Sequence, residues 1–430
     1  MPPADDGVRA RSAGGLGGGG DDIPGDRDDI VAMATAVTGP AWADPAPSFE
    51  ALLERIGLTP MTVEADALLD AAEARVRQAR VRPNPVLGLE AENAFGTGPF
   101  QGYDNAETTL SLSQDLELWG RRSARVGVAR AEAGTAALRR DLADVEAASR
   151  LALVYAEAEA AERRFQLAEE ALTVTIADTR AALILVEEGR EPLLRGIQGE
   201  TEAAAARATL DEAQAERDAA FARLTAVAML PTPVTSIDTS LLDRTPAGVT
   251  IAVGAAPEVL VAEAERAAAE SRIEVERVRA RPDVTASVGI RRYEAEDATA
   301  LTFGVSMPLP LFDRNRGAID AARAEFRAAE ARLIGARQEA EADRNAAEAR
   351  LRASASRVAA ADAGVTAAEE AYRLSRIGFE AGRISQLELR SSRAALINAR
   401  NAAVDARLAR VRAEIDLARL QGRAPFGTQP

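Results

Sequence analysis

"RVRPNPVLGLE" (residues 80–90) and "RARPDVTASVGI" (residues 279–290) make the same turn twice, roughly 200 residues apart. Each leaves an Arg-rich helical stretch and crosses an Arg-Pro pair that cannot continue a helix. Each then enters a run in which apolar residues alternate with small or polar ones, the period of a strand. A turn made twice at that distance points to an internal repeat, and the surrounding sequence bears the pattern of one.

Around the first turn, Leu68, Leu69, Ala72, Val76 and Ala79 fall at helical spacing before Pro83 and Pro85. "PVLGLEAENAF" alternates, "GTGPFQGYDN" is a Gly-rich loop, and "AETTLSLSQDLEL" alternates again, with Leu110, Leu112, Leu116 and Leu118 on one face and Ser111 and Ser113 on the other. From Trp119 to about Glu188 there is no Pro, which predicts a helix of roughly 70 residues, about 100 Å long at ~1.5 Å per residue. Ordinary helices run ~11–12 residues. "EEGREP" interrupts it and a further helix follows to about Met229. The second copy repeats the order: a helix to about Arg281, the strands "DVTASVGIRRY" and "TALTFGVSMPLPLF" around the short loop "EAEDA", a long helix to about Phe379, the break "EAGR", and a last helix to about Leu420.

The expected organisation is a leader at 1–43, an N-terminal linker at 44–60, a first repeat at 61–229, a linker at 230–256, a second repeat at 257–421 and a tail at 422–430. Strands are expected at about 84–95 and 105–118 in the first repeat and at about 283–293 and 299–312 in the second, with the helical turn-backs near 189 and 382. The fold class is mainly α with a small β part, built from two tandem helix–strand–strand–long helix–helix units.

The strands pose the physical problem. Four strands cannot close a barrel, and an isolated hairpin is marginal in water. Leu110, Leu112, Val288, Ile290, Leu301, Phe303 and Val305 form apolar rows opposite rows of Ser, Thr and Gly. Packed on a helical core, such rows would need bulky partners, and the long helices are rich in Ala instead. The other solution turns the apolar rows toward lipid and the polar rows toward water, as in an outer-membrane barrel. Strands of ~9–11 residues suit a tilted membrane span. Phe95, Phe100, Tyr103, Trp119, Tyr293 and Phe312 sit near strand ends, where an aromatic belt belongs. The open edges then need strands from other copies, and three copies would supply twelve. Seams such as Leu138-Leu142-Val145 suit close helix pairing below that barrel.

Composition narrows the chemistry. The chain of 430 residues has no Cys and no His, and its 52 basic residues are all Arg. No thiolate nucleophile, imidazole base or Schiff-base Lys can be built from it, and with no Cys or His and only scattered Met no tight transition-metal site is expected. No cofactor, resident metal or catalytic constellation is expected, and so no enzyme. A net charge of −15 argues against a nucleic-acid partner. Residues 1–29 read as disordered. The apolar run 30–43 ends in Ala41-Trp42-Ala43, like the end of a secretory signal. No apolar run reaches the ~18 residues of a transmembrane helix.

"NPVLGLEAEN", "ETTLSLSQDLELWGRRSARV", "GVSMPLPLFDRNRGAIDAARAE" and "FEAGRISQLELRSSRAALINAR" together resemble the TolC-like outer-membrane efflux proteins, in particular the CzcC-like branch that serves heavy-metal cation exporters. The resemblance implies a homotrimer whose twelve-stranded barrel lies in outer-membrane lipid, above a periplasmic α-helical barrel. Its tip would dock a periplasmic adaptor and, through it, an inner-membrane RND-type exporter. On this resemblance Gly189, Arg190, Gly382 and Arg383 are the tip residues in contact with the adaptor. Glu388 takes the place of an acid that forms a constricting ring, while Ser391 stands where a second acid often follows. Arg195 is the matching position of the first repeat, and a Glu388–Arg195 contact is the expected gate. The implied function is passive conduction of exported substrate, heavy-metal cations first. A coiled-coil scaffold working in solution is the alternative.

Overall fold

The computed structural model describes residues 46–245 and 255–427. The expected leader and signal-like segment, and residues 246–254 of the second linker, lie outside the described residues.

A short helix α1 (Phe49–Leu53) precedes α2 (Pro60–Arg80), β1 (Val86–Glu92), β2 (Glu107–Asp115), α3 (Arg121–Glu187) and α4 (Leu193–Val227). The series then repeats as α5 (Pro257–Arg279), β3 (Thr285–Tyr293), β4 (Ala298–Ser306), α6 (Arg316–Glu380) and α7 (Gln386–Leu420). Pro60 and Pro257 each open the first helix of a copy, where the missing N–H removes no hydrogen bond. The long helices α3 and α6 have 67 and 65 residues, so each is about 100 Å long.

The strands are shorter than the alternation suggested, and local backbone explains each end. Asn93 and Phe95 take positive φ and turn the chain into the Gly-rich loop after β1. Glu117 and Trp119, also at positive φ, end β2 before the tracts of alternation run out. Pro308 and Pro310 cannot donate to a ladder and stop β4 at Ser306.

The two hairpins join into one antiparallel sheet in the order β1-β2-β3-β4. The central pair, β2 with β3, links the repeats in the register Leu110↔Ile290 and Leu112↔Val288. Together with Leu87↔Leu112 and Val288↔Phe303, and with Leu89↔Leu110 and Ile290↔Leu301, this register sets whole rows of apolar side chains across the sheet on a single face. The other face carries Gly88, Ser111, Gly289 and Thr302 in one row and Ser113, Ser287 and Gly304 in the next. That face is tight. A Cβ on Gly289 would lie 2.7 Å from Thr302 Oγ1 and 2.8 Å from the Leu110 carbonyl oxygen.

Near the sheet the helices pair α2 with α3, α3 with α5, and α5 with α6; toward the turn-backs they pair α3 with α4, α3 with α7, and α6 with α7. The core is thin and built from small residues. Ala148, Leu151, Ala152, Tyr155, Ala156 and Ala158 of α3 are among the most buried side chains.

Two segments read as linkers are built into that core. In 44–60, the Ser48 hydroxyl caps α1, and Phe49 is fully buried with its ring edge-on to Tyr155 and Phe426. The described part of the second linker, 230–245, buries Leu230, Val234, Leu241 and Leu242. The expected tail is likewise anchored at Phe426. Sparse apolar residues without a period gave no sign of this; ring packing holds the first segment and the tail, and hydrogen bonding to buried side chains, described next, holds 230–245.

Candidate functional site

Three places could carry function: the sheet, the strap formed by 230–245, and the turn-backs between the long helices.

The sheet is inverted relative to a soluble one. Its large apolar side chains are the exposed ones, with Leu89 at 74%, Phe303 at 79% and Val305 at 76% exposure. Leu110, Leu112, Val288, Ile290 and Leu301 of the same face are exposed as well. Thr109, on the polar face, is buried, as is Gly289. Among the described residues no helix covers the apolar face. Among the described residues the outer edges of β1 and β4 have no strand partner. Near the loop end of the polar face the Arg291 guanidinium pairs with Glu107 at 2.9 Å and Glu92 at 3.1 Å, and its Nε donates to the Thr109 hydroxyl at 2.9 Å. At the helical end, Trp119 Nε1 donates to the Pro282 carbonyl, Arg121 pairs with Asp283 at 2.6 Å, and the Asn315 amide donates to Glu276. These bonds fix the sheet to both repeats.

The strap lies between the two repeats, held from both sides. Glu159 of α3, 4% exposed, accepts from the Leu241 N–H at 2.8 Å, the Leu242 N–H at 3.1 Å, the Ser240 hydroxyl at 2.6 Å and Arg163 at 2.7 Å. From the second repeat, Arg410 of α7 donates to the carbonyls of Leu242 and Arg244, both at 2.9 Å. The Tyr155 hydroxyl donates to the Thr239 carbonyl at 2.9 Å, and burial pushes its phenol well above the usual range. Asp243 sits between Arg163 and Arg407; the hydrogen bond from Arg163 outweighs burial and holds its carboxyl below the ordinary carboxylate value. Burial pushes the Glu414 carboxyl the other way, up, against the opposing pull of Arg410.

The turn-backs are copies of each other. Gly189 and Gly382 both take φ of +70°, the left-handed conformation open to glycine. The N–H of Arg190 reaches the Leu185 carbonyl and that of Gly189 the Val186 carbonyl. In the second copy Arg383 reaches Gly378 and Gly382 reaches Phe379 in the same pattern. The Arg190 and Arg383 side chains lie at these corners.

The structure gives the two expected gate residues different partners within one subunit. Arg195 donates to the Gln386 side-chain oxygen at 3.0 Å and lies 3.8 Å from Glu191. The Glu388 carboxylate instead accepts from the Ser385 N–H at 2.8 Å, closing a reciprocal cap with the Ser385 hydroxyl. Arg195 thus reaches the start of α7 but not Glu388, because the cap holds that carboxylate against its own helix. The cross-hairpin contacts fall on residues the sequence reading passed over. Arg390 pairs with Glu202 of α4 at 2.8 Å, Arg393 with Asp178 of α3, and Arg400 with Glu170 of α3 and Glu369 of α6, both at 3.1 Å. Arg393, Arg400 and Arg407 recur every seventh residue on α7, a stripe visible in the sequence. Among the described residues no group of three or more acidic side chains is placed to hold a metal ion. No helix there is long and apolar enough to cross a membrane, which says nothing about a barrel of strands.

This geometry agrees with comparison to known proteins. The model of the family described as "Outer membrane efflux protein" matches residues 60–228 and 250–423. The nickel-cobalt-cadmium resistance protein NccC of Alcaligenes xylosoxydans xylosoxydans is 39% identical over 297 residues, 68% of this chain and 67% of that protein. The nickel and cobalt resistance protein CnrC of Cupriavidus metallidurans is 40% identical over 295 residues, covering 68% and 70% of the two chains. Among solved structures, the open state of the Neisseria gonorrhoeae MtrE outer membrane channel superposes with a TM-score of 0.74 at 20% identity, covering 89% of this chain and 91% of that one. CusC superposes at 0.73 with 19% identity, over 87% and 92%. An inverted sheet, matched tip turns and a profile spanning both repeats identify this chain as a member of the outer membrane efflux protein family, located in the outer membrane.

Proposed function

We propose that three copies of this chain form the exit duct of a tripartite efflux system and that its cargo is heavy-metal cations. The observation that carries the duct is the sheet's exposed apolar face, with both edges open. Lipid satisfies the face, and β4 of one copy beside β1 of the next satisfies the edges. Three four-stranded sheets then close a twelve-stranded barrel, and the paired helices continue it into the periplasm. A scaffold working in solution would leave this face in water. The relatives named for nickel, cobalt and cadmium resistance support the cargo. The absence of His and Cys suits passive passage, since tight ligation would slow exit. The duct carries out no chemical reaction.

The turn-backs at Gly189-Arg190 and Gly382-Arg383 are the proposed adaptor contacts, and the exporter behind the adaptor is of the RND type. Arg195 and Glu388 remain at the proposed gate, with any contact between them made across subunits. The test is expression, together with adaptor and exporter of an NccC-type system, in a metal-sensitive host that lacks its own duct. Restored growth on nickel, cobalt or cadmium is expected. Conductance in a lipid bilayer without any gain in resistance would leave a duct but contradict the metal cargo.

A further inference from the structure

The register places Glu90 and Glu92 of β1, Glu107 and Asp115 of β2, and Arg291 of β3 on the polar face. Between the two ends of that face the positions are Ser, Thr or Gly, with Val86 at the start of β1. Arg291 is the only cationic side chain on it, since Arg292 points to the apolar face and pairs with Asp297. Arg291 is also held fast. Glu107 lies at 2.9 Å, Glu92 at 3.1 Å and the Thr109 hydroxyl at 2.9 Å, so β1 and β2 together fix one guanidinium of β3 against the wall.

A free arginine on the wall of a duct repels cations and gathers anions. An arginine between two carboxylates does neither, because the group carries a net negative charge. Resting on the proposed duct, in which the polar face lines the bore, we propose that the Glu92–Arg291–Glu107 group is a specificity-determining device for the outer half of the conduit. The two carboxylates mask the one cationic residue of the sheet's polar face, and threefold repetition makes a ring that favours cations. Glu90, on the same face, adds an unmasked charge. The cargo class this fits is small hydrated cations; anionic and zwitterionic solutes are disfavoured. Because the ring lies on a wide, wetted surface, the effect is electrostatic focusing and not binding, and it weakens as salt screens it.

The test is the reversal potential of the reconstituted full chain in a planar bilayer under a salt gradient. Local charge predicts an order of cation preference: Arg291→Gln above the native chain, the native chain above the triple substitution E92Q/E107Q/R291Q, and the triple above E92Q/E107Q, in which Arg291 is exposed. The outer two should differ in cation-to-anion permeability ratio by roughly twofold or more at ~0.01 M salt, where the Debye length is about 30 Å, and converge at ~1 M, where it is about 3 Å. A merely structural role would not reproduce that order or its loss in salt. Unchanged trimer mobility on heated and unheated gels shows that each variant folds. Channels that form normally with one selectivity for all four chains would overturn the inference while leaving the duct intact. Failure of the native chain to conduct at all would count against the duct itself.

Discussion

At the scale of single residues, the decisive positions are buried polar groups that connect segments far apart in sequence. Glu159 binds two backbone N–H groups of the strap and Arg410 binds two of its carbonyls, so one peptide segment is held by both repeats. Glu159→Ala leaves those two N–H groups without their acceptor and should cost about 3 kcal/mol, read as a lower denaturant midpoint of the assembled protein. Glu414 makes a prediction with a sign. Burial raises its carboxyl, so the folded protein favours the protonated form. Its contribution is favourable in acid, below the ordinary carboxylate value, and is lost as pH rises through the raised one. Glu414→Gln should therefore raise the thermal midpoint at pH ~8 and lose that advantage near pH ~4. Asp243 behaves oppositely. Its lowered carboxyl stabilises the fold at neutral pH and loses that effect as pH falls below the usual carboxylate range, so Asp243→Asn should destabilise at neutral pH and matter little in strong acid. None of these groups stood out in the sequence, because a Glu in an Ala-rich helix looks like any solvated charge until its partners are known. The capping of Glu388 was legible. Ser385 and Glu388 form the S-x-x-E pattern of a capping box, and that local use competes with a gate.

At the scale of elements, the repeat, the strand periodicity and the helix lengths could be read directly, because each is a local pattern sustained over many residues. Strand ends could not, since they depend on single residues at positive φ such as Glu117 and Trp119. Nor could the β2–β3 pairing that joins the hairpins, which brings together residues with α3, α4 and α5 between them. The turn-backs were visible as Gly-Arg pairs, and their identical hydrogen bonding gives a matched prediction. Gly189→Ala and Gly382→Ala each force a side chain into the left-handed region and should each cost about 1 kcal/mol locally. Hydrogen exchange should report this at the two turn-backs, with the sheet unaffected. The Arg stripe of α7 should resist substitution more strongly. Arg393→Ala leaves Asp178 without its partner and should loosen the second hairpin against the first, seen as faster proteolysis within the lower halves of α6 and α7.

At the scale of the whole molecule, the account turns on a sheet whose burial pattern is reversed. Four strands with hydrophobic side chains outward and glycines and hydroxyls inward satisfy neither water nor their own edges. Lipid and two further copies resolve both. The chain's lack of cysteine makes a direct measurement possible, because any introduced thiol reacts alone. Single cysteines at Leu112, Phe303, Ser111 and Thr302 can be challenged with a membrane-impermeant thiol reagent after reconstitution into lipid vesicles. Ser111→Cys and Thr302→Cys should react, while Leu112→Cys and Phe303→Cys, one residue away on the same strands, should be protected until detergent is added. Equal labelling of both rows in vesicles, or rapid labelling of the apolar row, would contradict the lipid-facing sheet and with it the duct.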